Sequence, residues 1–505
     1  MWGSLVLIVA SLVAGSATGA QKMQTIKGSS GPLATGMGFL DTGSDAENTT
    51  EAERIAAAGA TIVRIPVLWA GVAPTGATLP TGFNPRDPAD PMYRWAYYDN
   101  EVKAVSDAGL QPMLSIYDAP TWAQGSGGVS YLTGSYKPSA TALADFSTAI
   151  AERYSGSFES LPKVKYWEVW NEPNLNGFLS PQTVKGKPFA PGWYRSMLNA
   201  ASNAYHAVDP RNVVIAGDTA PFGGSPGVEK TRTMPLFFME RVLCIGEKRV
   251  RNKRTRVLRT VYRSTCKSRS KFDVWAHHPY TEGGPTVKAR IHGDVSLGDM
   301  NEMRMALNKA ISANHVGSAQ RVRLWVTEFS WDTAPADPKG VPLQMHARWV
   351  AQCLYQMWKT GVSLVAWLQI RDLPFPESYY QSGLYSAGPS GINSDKPKPG
   401  LRAFRFPFVA LTGKNNFVTI WGRTPSSRAR KIIVERKSGA KWKRVKTLKA
   451  NRYGIFQTRI RKPAKTVYLR ARLAGSRSAS LPFSLIPPKK PWVGCVFGTC
   501  SFQGG

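Results

Sequence analysis

Lys165-Tyr-Trp-Glu-Val-Trp-Asn-Glu-Pro-Asn174 is a largely apolar run that stops abruptly in four polar or turn-forming residues. It reads as a buried strand over 164–169 that delivers Asn171 and Glu172 at its C-terminal end. A second stretch has the same design. Arg321-Val-Arg-Leu-Trp-Val-Thr-Glu-Phe-Ser-Trp331 is an apolar strand that ends in Glu328. In a barrel of parallel strands the C-terminal strand ends gather around one mouth. Whether the two carboxylates meet therefore depends on where these strands stand in the strand count.

Counting outward, β-rich runs fall at 35–39, 62–66, 111–116, 164–169, 213–216, 272–276, 322–327 and 363–368. Helical patterns lie between them at 51–58, 99–108, 141–154, 193–208, 297–313 and 344–360. Strands alternating with helices imply a parallel sheet with crossover helices. Eight such units predict an α/β fold, a (β/α)8 TIM barrel, over 30–410. An open doubly wound sheet is disfavoured, because no Gly-rich phosphate turn follows an early strand. The carboxylates then end the fourth and seventh strands, about three positions apart around a ring of eight.

After Pro407 the texture changes. FVTIWGR, KIIVERK, KWKRVKTL, GIFQTRI, TVYLRARL and LPFSLI alternate apolar and polar residues between turn signals. They predict a small C-terminal all-β sandwich over 411–486, followed by a tail at 487–505. At the other end, the short apolar run Leu5–Ala14 precedes the small residues Ala17–Ala20. Residues 1–20 are expected to be a signal peptide, although no Lys or Arg precedes the run, and the protein to be secreted.

The chain of 505 residues carries 65 Lys+Arg against 33 Asp+Glu, a net charge of +32. That excess is localised. Residues 411–505 hold 22 Lys+Arg and the single acid Glu435, and residues 244–271 hold 11 Lys+Arg and the single acid Glu247. The rest is nearly neutral. The segment 244–271 is a basic insertion between the fifth and sixth strands, placed to wall or cover a cleft. Export permits disulfides. Cys495 with Cys500, and Cys244 with Cys266, are candidate pairs, all five cysteines reduced being the alternative. Cys353 lies in an apolar helix pattern and is expected to be a buried thiol.

Two carboxylates at one mouth suit glycoside cleavage, in which one stays protonated and the other ionised. Trp170-Asn171-Glu172-Pro173, followed by Thr327-Glu328-Phe329, resembles the clan of retaining β-glycoside hydrolases built on (β/α)8 barrels. Families 39 and 5, with a cellulase-like look, are the most similar. The resemblance covers about 35–410, and the basic insertion at 244–271 departs from it. It implies Glu172 as acid/base and Glu328 as nucleophile. It implies Asn171 bonding the sugar 2-hydroxyl, Tyr280 bonding the nucleophile, Arg64 supporting it, and Trp367 as a stacking floor. No cofactor or metal is implied.

Of the adjacent His277 and His278, alternation sends one into the cleft and leaves the other structural; His278 is taken as the site residue. Trp122, Trp331 and Asp118 lie just past strand ends, where they either touch sugar or pack loops. The expected partner is a carbohydrate, and the basic segments extend this to an anionic polysaccharide or attachment to cell-surface or wall polymers. Nucleic acid is not expected, since no binding motif is present. Two other readings stay open: a transglycosylase acting on surface glycans, and an inactive carbohydrate-binding wall protein.

Overall fold

The computed structural model describes residues 23–488 apart from 30, 39–43, 129–133, 225–230, 252–253, 255–257, 319 and 379, together with the strand pairs 495–496 and 499–500. The expected signal peptide and most of the tail lie outside the described residues. Among the described residues no helix is long and apolar enough to cross a membrane.

The barrel strands are β1 (Ala34–Gly38), β2 (Ile62–Leu68), β3 (Gln111–Tyr117), β4 (Tyr166–Val169), β5 (Val213–Thr219), β6 (Val274–His277), β7 (Arg323–Val326) and β8 (Val362–Trp367). All are parallel, each pairs with its neighbours in sequence, and β8 closes on β1 with Ala34 opposite Leu364. The helices longer than one turn are α1 (Asp45–Ala57), α2 (Ala96–Asp107), α3 (Ala140–Arg153), α4 (Ala190–Val208), α5 (Pro235–Val242), α6 (Met300–Ser312), α7 (Leu343–Lys359) and α8 (Pro399–Arg405). Six match the helical patterns of the sequence. The short α5 and α8 were not anticipated, because neither offers enough turns to show a period.

Local chemistry accounts for these elements. The Ser139 hydroxyl accepts a hydrogen bond of 3.2 Å from Ala142 N and so caps α3. Leu143, Phe146 and Ile150 then recur at helical spacing and are buried. Inside the barrel, Ile62, Met113, Val213, Ile215, Val274, Ala276, Trp325 and Leu364 form a separate inner core. Strand alternation places every second residue on this side. Two residues beyond the inner core, Arg64, Ser115, Glu168, His278 and Thr327 therefore form a polar layer towards the mouth.

The basic insertion forms an antiparallel hairpin, with Ile245–Arg251 paired to Leu258–Ser264. A disulfide joins Cys244 to Cys266 at its base. The hairpin links the end of α5 to the start of β6, so its base lies at the barrel end away from the mouth. Glu247 of the hairpin pairs with His292, in the loop after β6, at 2.5 Å. Much of the hairpin's tip lies outside the described residues, as does any covering role for it. Cys353 is a buried free thiol. The backbones of Cys495 and Cys500 stand opposite each other in a short antiparallel pair.

Towards the C-terminus lie β9 (Phe408–Thr412), β10 (Phe417–Arg423), β11 (Lys431–Ser438), β12 (Lys441–Lys449), β13 (Ile455–Arg461), β14 (Tyr468–Leu473) and β15 (Phe483–Ser484). They form two antiparallel sheets, in the orders β9-β10-β13 and β12-β11-β14-β15. The expected boundary at 411 falls inside β9. Trp421 of β10 packs on Tyr355 and Trp358 of α7. Arg423 is fully buried and donates to Leu33 O and Thr35 Oγ1, each at 3.1 Å.

Candidate active site

Strand alternation builds the floor of the mouth. Arg64 projects from β2 into the barrel and donates to five groups. Nε reaches Glu168 Oε2 at 2.6 Å and Nη1 reaches Glu328 Oε2 at 3.2 Å. Nη2 reaches Asn171 Oδ1 and Asp218 Oδ2 at 2.7 Å, and Ser115 Oγ at 3.1 Å. A buried guanidinium is tolerated when its donors are satisfied in this way.

Asp218 reaches this layer through an irregularity. Simple alternation from Val213 and Ile215 would put Gly217 inward and Asp218 outward. The β5–β6 register shifts here, however, so that Trp275 faces Ala216 while His277 faces Thr219. Gly217 and Asp218 both take positive φ, 95° and 48°. A Cβ at Gly217 would stand 2.6 Å from the Ala276 carbonyl oxygen and from the Trp275 ring, so only glycine fits. The bulge re-aims Asp218 inward. Thr327 Oγ1 donates to its Oδ1.

The turn after β4 is strained and well held. Trp170 and Glu172 have φ of 72° and 39°, a cost of roughly 1–3 kcal/mol each. Trp170 N donates to Ile116 O and Glu172 N to Asp218 O, both at 2.9 Å. The fully buried Asn174 amide ties the turn to Ala220 and Thr233, and Gln182 donates to Pro173 O at 2.9 Å.

Glu172 and Glu328 meet across the mouth. An oxygen of each, with a ring nitrogen of His278, all lie within 4.8 Å of one another. His278 Nδ1 is 2.9 Å from Glu172 Oε1 and Nε2 is 2.8 Å from Asp218 Oδ1. Both ring nitrogens are thus engaged by carboxylates. The Tyr280 hydroxyl donates to Glu328 Oε1 at 2.8 Å. His277 points the other way, to Thr219 Oγ1 and Val295 O, each at 2.8 Å.

Burial and neighbours divide the titratable groups. Burial raises the Glu172 pKa, His278 opposes this, and Glu328 and Asp218 add to it. Burial disfavours a charged His278, yet Asp218 and Glu328 outweigh it and hold its pKa well above the usual value. Burial pushes Asp218 up, but His278 and Arg64 prevail and keep it below the ordinary carboxylate range. Glu168, shut in beside Arg64 and Asp218, is pushed up to about 8 by burial. Its Oε1 has no hydrogen-bond partner.

Arg64, Asn171, Glu172, His278, Tyr280 and Glu328 are brought together. Asn171 Oδ1 is taken by Arg64, so the group it offers a ligand is its amide NH2. Trp367 is a correction. Leu364 belongs to the inner core, and alternation turns Val365 and Trp367 outward into the core under the helices. Trp367 is fully buried against His346 and Phe404, and its Nε1 donates to Ser382 O at 2.7 Å. No ring face is open for a sugar. Trp331 is buried against Trp349 and packs its loop, whereas Trp122 is half-buried with Nε1 donating to Pro74 O at 2.9 Å.

The sequence reading missed four groups. Glu168 carries a readable signal, since it lies two residues from the inward Tyr166. Tyr117 follows Met113 and Ser115 on the inward face of β3 and carries the same signal. Its phenol is raised by burial, which Arg64 opposes and Glu328 reinforces. Asp218 was hidden by the bulge. Tyr380, in the loop after β8, is 57% exposed. Burial of its hydroxyl raises its pKa, with Glu328, Asp332 and Glu172 adding to the effect. No sequence pattern marks it.

Among solved structures, a family 39 glycoside hydrolase from Bacteroides cellulosilyticus WH2 is 15% identical, with 84% of this chain and 79% of that one covered and a TM-score of 0.49. A monomeric beta-xylosidase from Caulobacter crescentus CB15 is 16% identical, covering 86% and 96%, with a TM-score of 0.47. An endo-beta-1,4-mannanase from Thermotoga petrophila is 12% identical, covering 91% and 99%, with a TM-score of 0.41. No curated protein matches the chain. The model of the Cellulase family (glycosyl hydrolase family 5) matches residues 18–332. That span is more than half of the chain and contains both carboxylate-bearing strand ends, and the protein belongs to glycosyl hydrolase family 5.

Proposed function

We propose that the protein is a secreted, retaining β-glycoside hydrolase that cleaves an oligosaccharide or polysaccharide by double displacement. One observation carries this reading: oxygens of Glu172 and Glu328 lie within 4.8 Å of each other. That favours the spacing of about 5–5.5 Å in retaining enzymes over the roughly 6.5–9.5 Å that admits a water.

In the first step a Glu328 oxygen attacks the anomeric carbon. The bond to the leaving oxygen breaks, and Glu172 gives that oxygen its proton. Arg64 and Tyr280 hold Glu328 in line, and the Asn171 amide donates to the 2-hydroxyl. Esterified Glu328 carries no charge, so its contribution to raising the Glu172 pKa vanishes. Glu172 then serves as base, takes a proton from water, and the hydroxide oxygen displaces Glu328 with net retention.

The two C-terminal sheets are read as a sandwich that holds the enzyme on acidic polymers. Their one acid, Glu435, is occupied by Arg470 and Arg472 at 2.8 and 2.9 Å, so nothing offsets the surrounding lysines and arginines. Glu328→Gly tests the catalytic reading. Turnover should vanish, and azide should restore it with an inverted glycosyl azide as product. Full activity in this variant would refute the assignment.

A further inference from the structure

A second cavity lies at the opposite end of the barrel. It measures about 820 Å³ and is lined by the first residues of β1, β2, β3, β4, β7 and β8. This is the N-terminal strand face, away from Glu172 and Glu328. The inner core forms its roof, including Ile62, Trp325 and Leu364.

Its chemistry is one-sided. Lys27, Arg321, Arg323 and Arg452 line it, and no acidic side chain does so among the described residues. The Arg323 guanidinium lies 5.1 Å from the centre of the Trp325 ring, and Tyr166 lies 5.6 Å from that ring on its own account. Arg323 Nη2 has no open surface and no hydrogen-bond partner, so it is Arg321 and Arg452, both exposed, that present guanidinium groups to a ligand. Arg452 and Tyr453 come from the turn between β12 and β13, so the basic C-terminal sheets reach this cavity directly.

We propose that this cavity binds a sugar residue carrying a carboxylate. Arginine guanidinium matches a carboxylate in two parallel hydrogen bonds. Tyr166 supplies aromatic surface for the apolar C–H face of a sugar ring, and Tyr453 holds the Arg452 guanidinium over its own ring at 4.7 Å. The volume falls within the roughly 300–1,000 Å³ usual for ligand sites. A polymer held here is gripped across the barrel from the point of cleavage. Only the choice of a sugar as ligand rests on the proposed glycosidase function; the anion preference comes from the cavity itself.

The test is calorimetric titration of the full chain with trigalacturonate, with cellotriose and sodium sulfate as separate arms. The expected result is saturable binding of trigalacturonate alone, weakened at least ten-fold in Arg321→Ala/Arg452→Ala, with aryl-glycoside hydrolysis unchanged. Both arginines are exposed. Should the double variant fail to fold, Arg452→Ala alone must weaken binding at least three-fold. Three results would overturn the proposal: no saturable binding, an unchanged affinity in the variants, or equal binding of sulfate or cellotriose. Loss of the catalytic reading would show separately, as a parent chain that hydrolyses no glycoside.

Discussion

His278 Nδ1 stands 2.9 Å from Glu172 Oε1, and the imidazole's other nitrogen is fixed 2.8 Å from Asp218. A cationic ring so placed restrains the very carboxyl whose pKa burial raises. Removing the ring by His278→Ala leaves burial and Glu328 unopposed, and the Glu172 pKa rises further. In the proposed mechanism activity requires Glu172 protonated and is lost as pH rises through its pKa. The alkaline limb of kcat/KM should therefore move to higher pH, while kcat falls through lost positioning. An alkaline limb that stays in place, or moves to lower pH, would rule out this coupling.

Glu172 should reveal itself through the leaving group. Glu172→Gln removes a proton donor worth roughly 10²–10⁴-fold. For an alkyl or sugar leaving group that whole factor should be lost from kcat/KM. For a dinitrophenyl leaving group, which departs without a proton, glycosylation should be nearly unaffected. Equal losses on both substrates would exclude the acid role.

Glu168 makes a prediction about stability. Its folded pKa, raised to about 8 by burial, lies above its unfolded value. The folded state thus binds the proton more tightly. The stability linked to that proton is fully present below the unfolded pKa and is lost as pH rises towards about 8. Glu168→Gln keeps an oxygen to accept from Arg64 and cannot ionise. Urea unfolding at pH 5 and pH 8 should show a smaller loss of stability in the variant than in the parent. An equal loss would mean that Glu168 does not carry it.

Trp367 should act in the core and Tyr380 at the substrate, the reverse of what the family resemblance implies for Trp367. Trp367 is wholly buried, so Trp367→Ala should cost about 3–5 kcal/mol of unfolding free energy. Tyr380 is exposed and lies within reach of the Glu328 and Glu172 charges. Tyr380→Ala should leave the melting temperature in place and raise KM about two- to ten-fold, in keeping with an aromatic contact of roughly 0.5–1.5 kcal/mol. A normal KM in Tyr380→Ala would remove it from the substrate's path.

Much of the barrel was readable because its strands are short apolar runs with helices of clear period between them. The strand count alone brought Glu172 and Glu328 to one mouth. Legibility failed where geometry departs from regular alternation. The bulge at Gly217 turned Asp218 inward, against the simple strand pattern. At Trp367 the failure was the reverse. Regular alternation held to the end of β8 and turned the ring away from the mouth, where family likeness had placed it. Glu168 was within reach of the same rule but lay hidden in a run that reads as apolar. The basic insertion at 244–271 shows no strand period in its sequence, yet 245–264 form a hairpin. It is ordered at its base by the cross-link between Cys244 and Cys266 and by the burial of Ile245.

Arg423 gives the assembly an order in time. Its hydrogen bond to Leu33 spans 390 residues, and its bond to Thr35 secures β1 itself. A ribosome delivers β10 only after all eight strands of the barrel. The barrel's opening strand must therefore wait, incompletely tethered, until β10 has emerged. A chain cut short before β10 would leave the Leu33 carbonyl and the Tyr355–Trp358 face of α7 uncovered. Truncation at the C-terminus would then be felt first as failed maturation, before any loss of grip on a polymer.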